Sequence, residues 1–469
     1  MYKIEQTKKW MLKAGAVLFA LLMMIQMGAY PVQASEYWPE GTEIVSPNAI
    51  VMELSTGTIL YEKESLEQHY PASITKIMTT LVALENSDLD EIVTFSDEAI
   101  DNTMGSGIAR DYGEQMTMEQ CLYAVMLESA NECAYAVAEH VGGTVENFVA
   151  MMNEKAGSLG CKNTHFANPH GLQDENHYTC CYDMALIAQA AYANETFRII
   201  TGTARYTIPP TNKHDEPTLL QNHNEILYPR RETAYVRDYC TGGKTGYTDA
   251  AQSTLVTFAE KDGMTLVCVI MNTQSPNQWK DTISLFEYSF DNFQVFNIAE
   301  NETSYTSSRE KSTGSLNQNE PFVDIDQNAC IVLPKTAKFK DAKSEITYED
   351  ESSQVVGSIA YTYAGREVGK ADIVTTGVKI DGYVFDNEKT QEESEQGTEE
   401  TKTKISTIQI NPVVAGSIAG GVAVLAVLGF FIKKLADNYY IIRHNMQVKK
   451  DYRNQFKAIK RRKKRRRRR

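Results

Sequence analysis

Polar and apolar positions change period several times along this chain. Ala49 to Leu54 and Thr58 to Glu62 read as two strands joined by the turn Ser55-Thr56-Gly57. From Pro71 the pattern becomes helical, with Ile74, Ile77, Met78, Leu81 and Val82 on one stripe and Ser73 in the first turn. Helical stretches are predicted over Met118 to His140, stopped by Gly142-Gly143, then over Val145 to Leu159 and Tyr182 to Asn194. After Tyr239 the period returns to two. Strands are expected around Lys244, over Ser253 to Phe258 and over Thr265 to Met271, with Lys261-Asp262-Gly263 as a turn and Asp281 to Phe290 as a closing helix. Strands at both ends with helices between them predict an α+β domain whose antiparallel sheet is completed by its terminal segments.

From about Ala299 the composition is polar, and short β-type runs follow: Ala329 to Leu333, Ser344 to Tyr348, Val355 to Tyr363 and Arg366 to Val374. They predict a small all-β domain over 299–385. Residues 386–409 are rich in Glu, Thr, Gln and Ser without an apolar period, and read as a disordered spacer. Two apolar runs stand apart from these domains. Ala14 to Ile25, behind Lys3, Lys8, Lys9 and Lys13 and ahead of Val32-Gln33-Ala34, reads as a signal peptide over 1–34. Pro412 to Ile432 is 21 residues without a charge, so 410–432 is read as one transmembrane helix. The basic segment that follows, 433–469, is placed in the cytoplasm and the body outside. Gly416 and Gly420 stand four apart in that run, a spacing common in membrane helices without pairing.

Charge sharpens this division. The chain of 469 residues has a net charge of -14, yet the segment after Ile432 holds 17 Lys and Arg against Asp437 and Asp451, a local +15, which leaves -29 on everything before it. An acidic body argues against specific nucleic-acid binding, and the basic tail suits the inner leaflet of a membrane. The eight cysteines, at 121, 133, 161, 180, 181, 240, 268 and 330, form no metal-site spacing or compact disulfide framework, so buried free thiols are expected. The vicinal pair Cys180-Cys181 has no reading from sequence.

Candidate chemistry begins at Ser73-Ile74-Thr75-Lys76. Serine is a weak nucleophile that needs a base, and a lysine three positions later on a helix lies on the same face. The spacing alone is weak, since Ser308-Arg309-Glu310-Lys311 repeats it. Specificity comes from Ser129-Ala130-Asn131 and from Lys244-Thr245-Gly246, a tripeptide that falls where the strands resume. Together, in this order, the three elements match a signature known in class A β-lactamases and penicillin-binding proteins. The assignments follow from what such a site requires: Ser73 as nucleophile, Lys76 as base, Ser129 as proton relay, Asn131 to hold Lys76 and the substrate amide, Lys244 and Thr245 to bind a terminal carboxylate, and Gly246 to permit close approach. The backbone N–H groups of Ser73 and Tyr247 are expected to form an oxyanion hole. No cofactor and no metal is expected. His170 is read as structural, because lysine already fills the base's role. No Gly-x-Ser-x-Gly or His-Glu-x-x-His occurs in the chain.

The residues resemble the low-molecular-weight penicillin-binding proteins that act as D-alanyl-D-alanine carboxypeptidases. The resemblance is carried by Pro71 to Thr79, Glu128-Ser129-Ala130-Asn131-Glu132, Asn168-Pro169-His170-Gly171-Leu172 and Lys244-Thr245-Gly246-Tyr247-Thr248, and extends over about Ser46 to Phe293. It implies a β-lactamase/transpeptidase-like catalytic domain over 35–298, an antiparallel sheet with a helical subdomain. It also implies removal of the terminal D-alanine from peptidoglycan stem peptides through an acyl-enzyme, and covalent trapping by β-lactam antibiotics. Two departures stand out. Ala251-Gln252 replaces the Ala-Gly the family often has after Lys-Thr-Gly, which is expected to affect strand packing more than chemistry. A full apolar span also replaces the usual amphipathic anchor. A class A β-lactamase would add a glutamate for deacylation, and Phe166 to Gln173 contains none. A D,D-endopeptidase, or a β-lactam sensor without turnover, remains compatible with the same motifs.

Overall fold

The computed structural model describes residues 37–302, 323–348 and 355–375. The signal-peptide, spacer, transmembrane and basic-tail readings, and the Ser308 tetrad, lie outside the described residues. Among the described residues no helix is long and apolar enough to cross a membrane.

The strands run in chain order as follows. β1 (Asn48–Glu53) and β2 (Ile59–Lys63) form a hairpin. β3 (Ile92–Thr94) pairs with β4 (Gln115–Thr117), and β5 (Arg205–Ile208) with β6 (Thr218–Gln221), as two small ribbons. β7 (Cys240–Thr248), β8 (Gln252–Lys261) and β9 (Met264–Thr273) form a meander that joins β1, giving a five-stranded antiparallel sheet in the order β2-β1-β9-β8-β7. The predicted completion of the sheet by terminal segments is therefore found, and β7 is an edge.

All six residues of β1 are buried, which an alternating strand with one wet face would not show. The reason is a core on each face. Ile50, Met52, Val256, Phe258, Val267, Val269 and Met271 pack with the helices on one side. Their neighbours Ala49, Val51, Leu255, Ala259, Leu266, Cys268 and Ile270 pack against Trp279, Ile283, Phe286 and Phe290 of the Asn277–Asn292 helix on the other. The period of two survives as a choice between two cores.

One helix expectation is corrected. Met118 to His140 is not continuous: a helix over Met118–Tyr123 widens into a π turn over Ala124–Glu128, breaks at Ser129 in a left-handed conformation (φ 61°, ψ 31°), and restarts over Asn131–Gly142. Leu122, Val125 and Met126 before the break and Cys133, Ala134 and Val137 after it are all buried in the same core, so the apolar period continues across it and hides it. A serine held at positive φ costs on the order of 1–2 kcal/mol. Such wide turns gather at functional sites. The Glu195–Gly202 helix and the two ribbons were not anticipated.

Beyond the Asn277–Asn292 helix, β10 (Phe293–Asn297), β11 (Val323–Ile325), β12 (Cys330–Pro334), β13 (Lys343–Tyr348), β14 (Val355–Tyr363) and β15 (Arg366–Thr375) build a two-stranded pairing, β10-β12, and a four-stranded sheet, β11-β15-β14-β13. Ile331, Leu333, Ile359, Tyr361, Val368 and Ala371 share its core. Its first strand, β10, begins at Phe293, a few residues ahead of the 299 expected from composition.

All eight cysteines are free. The vicinal pair now has a reading: the Cys180 thiol accepts the Asp183 N–H at 3.4 Å and so caps the Cys181–Ala193 helix, while Cys181 is buried in the core.

Candidate active site

Ser73 lies in a single 3-10 turn, Ala72–Thr75, that leads into the Lys76–Asn86 helix. Its backbone is pressed against β7. A Cβ added to Gly246 would stand 2.8 Å from the Ser73 nitrogen, 3.1 Å from that of Ile74 and 2.4 Å from Thr254 Oγ1. Glycine is thus required at 246 by close approach and not by an unusual φ. Thr254 Oγ1 also donates to Pro71 O at 2.8 Å, tying β8 to the residues before the serine.

Lys76 is fully buried (0% exposed), and its ammonium meets three acceptors: Ser73 Oγ at 3.1 Å, Asn131 Oδ1 at 2.7 Å and the His170 carbonyl at 2.5 Å. Burial pushes its pKa well below the ordinary lysine value, and the charge of Lys244 adds to the effect, while Glu132 opposes it. Lys244 is 1% exposed and donates to Thr245 O at 2.8 Å; burial pulls it down to about 7, with Glu128 acting in the other direction. Ser129 Oγ is buried and meets no hydrogen-bond partner among the described residues. Thr245 is half-buried, Gly246 buried, and Tyr247 is 62% exposed on the β7 edge. The structure therefore brings Ser73, Lys76 and Asn131 into direct hydrogen-bond contact, places Lys244 close enough to perturb Lys76, and sets Gly246 on the backbone of Ser73.

Several participants were missed by sequence reasoning. The His170 imidazole accepts the Leu172 N–H at 3.2 Å, and burial depresses its pKa to about 3, so the ring is structural, while its backbone carbonyl is a ligand of Lys76. Asn168 shapes that turn, accepting Gly171 N–H at 2.7 Å and donating to Leu172 O at 2.9 Å. Gly171 has φ +88°, and a Cβ there would fall 1.9 Å from Ala72 O, so the turn is seated directly on the residue before Ser73. Thr79 Oγ1 fastens Pro169 O at 2.5 Å, and Thr75 Oγ1 pairs with His177 Nε2 at 2.8 Å. On the opposite side, Asn131 Nδ2 donates to Met104 O and Asn131 N–H to Ser106 O, so the loop before β4 helps to hold that side chain. The Asn-Pro-His-Gly-Leu block could have flagged the turn; no sequence signal marked the loop. Among the described residues no group of three His, Cys, Asp or Glu is placed to hold a metal ion.

At the Ala251-Gln252 departure, Gln252 opens β8 at φ +55°. A side chain thus occupies backbone that suits glycine, with Gln252 Nε2 donating to Asp249 O.

A serine touching a buried lysine on one side and an edge strand on the other, between an antiparallel sheet and a helical region, defines a serine acyl-transfer peptidase that uses lysine where others use histidine. Comparison with known proteins narrows this class. Residues 33–275 match the family model described as D-alanyl-D-alanine carboxypeptidase, and the chain belongs to that family. It is 30% identical to the D-alanyl-D-alanine carboxypeptidase DacF of Bacillus subtilis over 348 residues, 72% of this chain and 82% of that protein. It is 32% identical to DacB2 of Mycobacterium tuberculosis over 51% of this chain and 81% of that protein. Among solved structures, the DD-transpeptidase of Streptomyces K15 is similar with a TM-score of 0.50 and 29% identity, covering 54% of this chain and 100% of that one. The carboxypeptidase DacD of Francisella tularensis, at 24% identity, shares the fold with a TM-score of 0.55 over 72% of this chain and 95% of that one.

Proposed function

We propose that this serine D-alanyl-D-alanine carboxypeptidase removes the terminal D-alanine of peptidoglycan stem peptides through an ester on Ser73. The observation that carries the reading is the arrangement around Lys76 Nζ, with Asn131 Oδ1 and His170 O on two sides and Ser73 Oγ on a third. A neutral amine has two N–H bonds and one lone pair. Asn131 and His170 take the two hydrogens, and the lone pair is left facing the Ser73 hydroxyl. Burial and the Lys244 charge make that neutral form accessible.

Ser73 Oγ then attacks the carbonyl of the penultimate D-alanine as its proton passes to Lys76. The oxyanion is received by the Ser73 and Tyr247 N–H groups. The terminal carboxylate is taken by Lys244 and Thr245, and the Ser129 hydroxyl, without a hydrogen-bond partner among the described residues, relays a proton to the departing amine. Water cleaves the ester, with Lys76 again as base. A β-lactam follows the same first step and stays on Ser73. The signal peptide over 1–34, the domains over 35–298 and 299–385, the spacer over 386–409, the membrane helix over 410–432 and the cytoplasmic tail over 433–469 complete this reading: the enzyme works outside the cell on a single-pass anchor. Incubation of the full chain with diacetyl-L-lysyl-D-alanyl-D-alanine tests it. Free D-alanine is expected, and a fluorescent penicillin should label the wild type but not Ser73→Ala. Penicillin labelling without D-alanine release would instead support a sensor.

A further inference from the structure

Glu128 stands at the end of the wide turn, immediately before Ser129. One of its oxygens accepts the Gln221 N–H, at the end of β6, at 2.7 Å, and the other meets His223 Nε2 at 2.9 Å. From there the chain reaches Asn224, whose Nδ2 donates to Gly242 O in β7, two residues before Lys244. The carboxylate therefore clasps the Ser129 side of the cleft to the segment that packs on the Lys244 strand. Lys244 itself is a buried lysine that forms no direct ion pair among the described residues and donates only to a backbone carbonyl. An unpaired buried cation is costly, and a nearby carboxylate is the remedy available. We propose that Glu128 is a positioning residue that supplies the countercharge keeping Lys244 an ammonium, and that His223 modulates it by competing for the same carboxylate.

The charges around this group are few. Among the described residues, burial lowers Lys244 and the charge of Glu128 opposes it. His223 is pushed down by burial and by Lys244 and Arg230, against the pull of Glu128. Burial pushes Glu128 up, but His223, the Gln221 N–H and Arg230 outweigh it and leave its carboxyl below the ordinary range. Lys76, beyond Lys244, is affected by Lys244 and Glu132. The side chains of His223 and Glu128 are 22% and 20% exposed, so bulk protons reach the pair. With His223 neutral, the full charge of Glu128 faces Lys244. When His223 gains a proton the pair neutralises itself, and Lys244 loses part of its support.

The inference rests on Lys244 as the receptor of the substrate carboxylate, and the test separates the two. The readout is the pH dependence of kcat/KM for D-alanine release by the full chain, between about pH 5 and 10, where the alkaline limb follows loss of the Lys244 proton in the free enzyme. Glu128→Gln keeps an oxygen for the Gln221 N–H, removes the charge and turns an amide NH2 toward His223 Nε2. Its alkaline limb should move to lower pH by roughly one unit, with the loss appearing in KM more than in kcat. His223→Gln keeps the carboxylate and its hydrogen bond; its alkaline limb should stay in place while the inflection contributed by His223 on the acid side disappears. An unmoved alkaline limb in Glu128→Gln overturns the inference, as does a matching alkaline shift in His223→Gln. Lys244→Ala provides the control: if it turns over substrate like the wild type, the receptor assignment itself fails, whereas a deep loss there beside an unmoved Glu128→Gln limb refutes the countercharge alone. Simple loosening of the fold would lower the melting temperature without moving the limb.

Discussion

Gly246→Ala is the substitution whose effect can be worked out most directly from the structure. The new methyl carbon would meet Thr254 Oγ1 at 2.4 Å, the Ser73 nitrogen at 2.8 Å and the Ile74 nitrogen at 3.1 Å. None of these is the loose end of a long side chain. Thr254 is held by its bond to Pro71 O, and the two nitrogens belong to the turn that positions the nucleophile. Relief therefore requires β7 and the Ala72–Thr75 turn to separate by about half an ångström, which at the usual cost of overpacking is about 1–3 kcal/mol. In a domain of this size that lowers Tm by about 2–10 °C. Catalysis should suffer more. The same displacement moves the Ser73 N–H away from the developing oxyanion, and loss of one such donor costs about 10²–10³ in rate, equivalent to about 3–4 kcal/mol. The measurement is the second-order rate of acylation by a fluorescent penicillin, beside D-alanine release and a melting curve on the same preparation. Acylation within threefold of wild type, with Tm unchanged, would falsify the claim that the strand and the nucleophile are in contact through Gly246.

Asn131→Ala removes an acceptor from Lys76 and the donor to Met104 O, so kcat should fall by about 10² or more and stability by about 1–3 kcal/mol, checked by steady-state kinetics and denaturant titration. Asn168→Ala, which touches no reacting atom, should loosen the turn that presents His170 O and lower the rate of acylation by about tenfold, read in stopped-flow with a chromogenic β-lactam. Acid should destabilise the protein. His170 and His177 are held down to about 3 by burial, below the ordinary 6.5, so between those values the unfolded chain binds protons that the folded one refuses, and Tm falls as pH is lowered through that window. His177→Gln should make that slope shallower, and an identical slope would count against this account.

The sequence alone named the candidate chemistry and most of the elements. Ser73, Lys76, Ser129, Asn131 and Lys244 are singled out by residue type, order and spacing, because a serine activated by lysine would need those functional groups and few others can substitute. The strands from Asn48 and from Cys240 onward are legible as short apolar runs bounded by turn residues, and the helices at Lys76, Val145, Cys181 and Asn277 as apolar positions at helical spacing. Tertiary structure decided what periodicity cannot carry. The break at Ser129 is invisible because both halves of the predicted helix feed the same core, yet the helix restarts there at Asn131, whose Oδ1 meets Lys76. The ligands of Lys76 and Asn131 that come from the backbone, His170 O, Met104 O and Ser106 O, leave no trace in residue type, since every residue has a carbonyl. The depressed pKa of Lys76 likewise depends on burial beside a second lysine far away in sequence, a property of the folded site and of no residue in it.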